Sequence, residues 1–97
     1  MQHLAEVRKE NIPTLHFDSH EVLGTDFEKQ QRRENLYKAM VLGNTYKKKV
    51  TIRFETDEGS KEVQTTIWAA TDDSVLLKGG IHIPIRCIRE VNLYRPA

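Results

Sequence analysis

Ninety-seven residues, 38% of them hydrophobic and 30% charged, suffice for one domain with one modest core and leave no material for a deep active-site cleft beside it. Fifteen basic and fourteen acidic side chains give a net charge of +1, so bulk charge offers no argument for nucleic acid or an anionic membrane. The one cysteine, Cys87, rules out an intrachain disulfide framework. No stretch is apolar enough for a signal peptide or a bilayer span, so a cytoplasmic protein is expected.

Residues 1–24 carry no sustained apolar face. "MQHLAEVRKEN" has material for one or two helical turns before Pro13 stops them, and Leu15 and Phe17 then alternate with His16 and Asp18. The expectation is a tail over 1–24, partly disordered or docked, ahead of a helix-plus-barrel domain at 25–97.

"TDFE" at 25–28 matches a capping box, in which Thr25 accepts from the Glu28 N–H while Glu28 reaches back to Thr25. The helix formers that follow predict a helix from about Asp26 to Leu42, stopped by Gly43 and Asn44. Its apolar residues come late, at Leu36, Tyr37, Met40 and Val41. The second half is therefore expected to pack, and the first to project into solvent.

From Thr45 the period becomes two. "KVTIRFET" puts Val50, Ile52 and Phe54 on one face, and "DEGS" at 57–60 reads as a turn. "EVQTTIWAAT" returns as one strand, with Val63, Thr65, Ile67 and Ala69 inward and Gln64, Thr66, Trp68 and Ala70 outward. "SVLLK", a turn at Gly79–Gly80, and "IHIPI" follow. Pro84 marks an edge or a strand end. "RCIRE" fits a single tight turn and "VNLY" a short closing strand. The pattern predicts a mainly β chain with an N-terminal α-helix: a small five-stranded antiparallel SH3-like or Sm-like barrel, or a strongly bent sheet. The helix would cap one open end through Leu36, Met40 and Val41.

Residues 36–91 carry a resemblance to the Sm-like layout, in "LYKAMVLGN", "VTIRFETDEG", "TTIWAATDDSVLL" and the "GGIHIPIRCIREV" close. The chain also resembles small uncharacterised bacterial proteins that end in an "IPI-x-x-I-x-x-V" rhythm. The resemblance implies a barrel and, for Sm-like proteins, RNA binding. The Sm-like Asp-x-Met-Asn signature is replaced here by Asp72-Asp73-Ser74-Val75. The basic-residue-then-glycine motif is replaced by Ile83-Pro84-Ile85, so no RNA-contacting residue carries over.

Lys47, Lys48, Lys49 and Arg53 make the one basic strip. They are the nucleic-acid candidates, against the plainer role of edge lysines that deter strand pairing. Trp68, with Thr66 and Gln64 on the same outward face, is the partner-binding candidate. The alternative is an indole packed beneath the helix or tail, against Leu36, Met40 or Phe17. His16 and His20 lack a third ligand by spacing, so no metal site or cofactor is assigned. Cys87 has no positioned base, Asp72 and Asp73 diverge in a turn, and Gly79–Gly80 lacks the context of a phosphate loop. The sequence thus points to a non-enzymatic interaction module that binds a protein partner or itself. The alternative is a nucleic-acid-binding barrel that uses the 47–53 strip.

Overall fold

Alternating burial in "VTIRFET" builds the central strand, β2 (Val50–Thr56), which turns Val50, Ile52, Phe54 and Thr56 inward. In the structure, a computed structural model describing residues 5–93, this strand pairs with β3 (Gly59–Thr65) on one side and β7 (Ile88–Asn92) on the other. A two-residue strand, β1 (Ala5–Glu6), adds to β3 in parallel, which gives a four-stranded sheet ordered β1-β3-β2-β7. A second sheet holds β4 (Ile67–Ala70), β5 (Ser74–Leu77) and β6 (Ile81–Pro84) in that order. Pro84 ends β6, and a 3-10 turn at Ile85–Cys87 leads into β7.

Among the described residues, seven strands in two sheets replace the expected five-stranded barrel or strongly bent sheet. The reason lies in "EVQTTIWAAT", which is two strands rather than one. Thr65, Thr66 and Ile67 are buried in succession, which no flat alternating strand permits, and the chain passes from one sheet to the other at Thr66. Thr66 therefore does not face outward with Trp68. It is buried, and its carbonyl accepts from the Lys78 N–H at 3.0 Å.

The helix, α1 (Asp26–Tyr46), starts where its cap predicts. The Thr25 Oγ1 accepts from the Glu28 N–H at 3.1 Å, and the Thr25 hydroxyl in turn donates to the Glu28 carboxylate at 3.0 Å. It is not the first element, because β1 and a 3-10 turn at Lys9–Thr14 precede it. Nor does it stop at Gly43. It runs through Gly43 and Asn44 and closes at Lys47, which adopts the left-handed conformation (φ 55°) and donates its N–H to the Gly43 carbonyl. Gly43 serves close approach instead. A Cβ there would collide with the Ile67 carbonyl oxygen and stand 2.9 Å from the Thr66 Cγ2.

That contact sets which face of α1 is inside. The buried stripe is Arg32, Leu36, Ala39 and Gly43, so the largely exposed first half of the helix is anchored through Arg32, and Tyr37 and Val41 are left exposed. The helix crosses from β4 of one sheet to β7 of the other. On the opposite side the Lys9–Thr14 turn touches β3 and β6 and buries Ile12 completely in the core formed by both sheets. Phe17 adds its ring to Phe54, with centroids 5.9 Å apart. Among the described residues, no helix is long and apolar enough to cross a membrane.

Candidate functional site

The helix flank beside β4 comes first. Tyr37, Val41 and Asn44 follow each other at i, i+4 and i+7, so they form one strip along α1. The Asn44 side-chain amide donates to the Met40 carbonyl at 2.9 Å and across to the Trp68 carbonyl at 3.0 Å, which fixes β4 beside that strip. Trp68 is 45% exposed and Tyr37 64%, so the indole is not packed away under the helix or tail. Between α1 and the β4–β5 turn lies a groove of about 540 Å³ with an apolar floor from Leu36, Met40, Ala70 and Ile85; Tyr37, Lys29 and Arg33 also line it.

The predicted basic strip does not assemble. Lys47, Lys48 and Lys49 are exposed in the α1–β2 connection, whereas Arg53 lies within the sheet, paired in register with Glu62 on β3 and Glu90 on β7. Its Nη1 stands 3.8 Å from the Glu90 carboxylate, and the adjoining Arg89 Nε donates to Glu55 at 2.8 Å. Arg53 is a member of a compensated charge ladder. Arg53 lines a shallow site beside Arg89 and Glu90, and of the three lysines Lys49 reaches a concave site. It lines a groove of about 650 Å³ with Arg8, Lys9, Lys78, Glu6 and Glu10, over a floor that includes Gln64, Thr65 and Thr66. Gln64 and Trp68 are both exposed, but each opens onto its own groove or flank, and Thr66 between them is buried.

Sequence reasoning missed two features. One is this second groove, whose cations come from separate segments and form no local run. The other is Arg32, 7% exposed, whose guanidinium donates to both Glu21 oxygens (2.6 and 2.7 Å) and to the Ile88 carbonyl at 2.9 Å. Its signal was spacing: Arg32 stands four residues before Leu36 on the stripe that ends at Gly43. The Arg32 hydrogen bond holds the Glu21 carboxyl below its ordinary pKa, against the opposing pull of burial.

His20 Nδ1 meets Asp18 at 2.8 Å in the open, and among the described residues no group of three or more His, Cys, Asp or Glu is gathered as for a metal ion. Burial pushes the Cys87 thiol up in pKa, and its Sγ donates to the Asp18 carbonyl at 3.4 Å, the setting of an inert thiol. The chain matches no protein-family model, no curated protein and no solved structure.

Proposed function

We propose that this chain is a small non-enzymatic interaction module that uses the Tyr37–Val41–Trp68 flank of α1 and β4 to bind a protein surface or its own copies. The observation that carries this reading is the exposure of those three side chains, beside a helix whose buried stripe runs through Arg32, Leu36, Ala39 and Gly43. Each leaves apolar area in water that a partner would remove, at about 25 cal/mol per Å². Aromatic residues beside an apolar groove are the usual anchors of such surfaces. The strand order from β2 to β7, with a 3-10 turn before the last strand, supports an SH3-like or Sm-like ancestry for the sheets. A cytoplasmic setting is part of the proposal, in keeping with a buried, unpaired Cys87.

Size-exclusion chromatography with light scattering, recorded at 260 and 280 nm, tests it against the Y37S/W68S double variant. A wild-type assembly, or a complex with co-purified protein, that the variant loses supports the module. A monomer with excess 260 nm absorbance, unchanged in the variant, would sink it in favour of nucleic acid held by Lys47, Lys48 and Lys49.

A further inference from the structure

The groove lined by Lys49 has a strand edge in its floor. In an antiparallel ladder, successive residues turn their N–H and C=O groups alternately to one neighbour and the other. The Val7 N–H donates to the Glu62 carbonyl at 2.8 Å, so the even-numbered residues of β3 face β1, while β2 pairs with the odd-numbered ones. β1 covers only Lys61 and Glu62, after which the chain leaves the sheet for the Lys9–Thr14 turn. Gln64 is the next position on that edge. Its N–H points into the groove and has no backbone partner among the described residues.

Cations surround this edge. Arg32, Arg53, Lys61, Arg86 and Arg89 each hold an ion pair or a hydrogen bond within the fold. Arg8, Lys9, Lys49 and Lys78, drawn from three separate segments, all line the groove, and their side chains make no such contact among the described residues. Lys9 lies beside the β5–β6 turn. Its Nζ stands 3.8 Å from where a Cβ on Gly79 would sit, a position where the backbone (φ 97°) already favours glycine. Glu6 and Glu10 line the same groove, so the charge is mixed, with two positive charges in excess.

We propose that this groove binds an extended acidic peptide, which adds as a strand to the free edge of β3 at Gln64 and sets its carboxylates against Arg8, Lys9, Lys49 and Lys78. Strand addition supplies main-chain hydrogen bonds, and side chains at alternate positions supply selectivity. A peptide with acidic residues at every second position presents its carboxylates together on one face. A nucleic-acid strand fits less well. Its charge recurs at every phosphate, and among the described residues lining the groove there is no aromatic ring on which a base can stack. This site is separate from the Tyr37–Trp68 flank, so each reading fails or survives alone.

The test is a titration of the ¹⁵N-labelled full chain with a blocked Glu-Val-Glu-Thr-Glu-Val-Glu peptide at about 50 mM salt, where surface charge is weakly screened. Saturable binding is expected, with the Gln64 amide among the most shifted resonances. The K49A/K78A variant should weaken binding by about tenfold or more, whereas K38A/K48A, which removes the same charge outside the groove, should change it less than about twofold. A peptide with proline at the central threonine loses a strand donor and should bind at least about tenfold more weakly. The proposal is overturned by absence of saturable binding, by equal losses in the two double variants, or by undiminished binding of the proline peptide. Tighter binding of a single-stranded oligodeoxythymidylate through Lys49 and Lys78 would overturn it too, by making the groove a phosphate site.

Discussion

Arg32 shows how one side chain ties three segments together. Its guanidinium is buried on the inner stripe of α1, yet it reaches Glu21 in the segment before the helix and the Ile88 carbonyl at the outer edge of β7. Removing one member of such a pair costs more than the pair contributes, because the survivor stays buried without compensation. E21A strands the more buried partner, and its expected cost is about 3 kcal/mol. R32M leaves a carboxylate that is already 30% exposed and able to recover water, so it should cost less. The pH dependence follows from the depressed pKa of Glu21, which its bond to Arg32 imposes while burial opposes it. Because the folded value lies below the ordinary 4.5, the contribution is complete above that pH and is lost as pH falls through the folded value. Glu55 behaves alike: burial raises it, but bonds from Ser60 and Arg89 win and leave it depressed. Urea midpoints of wild type and E21A should therefore differ clearly at neutral pH and converge in acid. A gap that persists unchanged at about pH 3 would mean the ion pair is not its source.

At the scale of elements, the contact of α1 with the β3–β4 bend decides how close the helix lies to the sheets. In a solvated helix, glycine to alanine gains about 1 kcal/mol. At Gly43 the added methyl meets backbone, the Ile67 carbonyl, which has no rotamer to yield. G43A is expected to destabilise by about 2 kcal/mol in urea unfolding, the opposite sign to its helix propensity. A stabilised variant would show that the approach is slack. The same contact explains what could be read beforehand. Thr25 announced the start of the helix because a cap is a local bond, and Val50, Ile52 and Phe54 announced β2 because alternation is local too. Gly43 looked like a stop because its neighbour across the interface, Ile67, is distant in sequence. The bend was hidden for a related reason: two of its three consecutive buried residues are threonines, which hydropathy does not mark as inside. Trp68 pointed outward as alternation suggested, whereas Arg53, placed with the lysines by proximity in sequence, is paired across two strands. The groove was the least legible feature, since Arg8, Lys9, Lys49 and Lys78 meet only after the sheets have formed.

For the whole molecule, the question is whether residues 5–24 are an appendage or a wall of the core. The two sheets are bridged on one side by α1, which touches β4 and β7, and on the other by the Lys9–Thr14 turn, which touches β3 and β6. Ile12 is wholly buried between them, Leu23 is buried, and Phe17 lies on Phe54. Deleting a fully buried isoleucine side chain beyond its Cβ costs about 3 kcal/mol, out of a total near 5–15 kcal/mol for a domain of this kind. I12A should therefore unfold at a visibly lower urea concentration with the same slope. Removal of residues 1–24 strips Ile12, Phe17, Leu23 and the Glu21 partner of Arg32 together, and should abolish the cooperative transition. Retention of a transition close to wild type after that deletion would make the segment a detachable strap and leave a self-sufficient pair of sheets. The distinction bears on function, because Arg8 and Lys9 ride on this segment. If it is a wall of the core, the charged groove exists whenever the protein is folded, and a partner meets a surface already built.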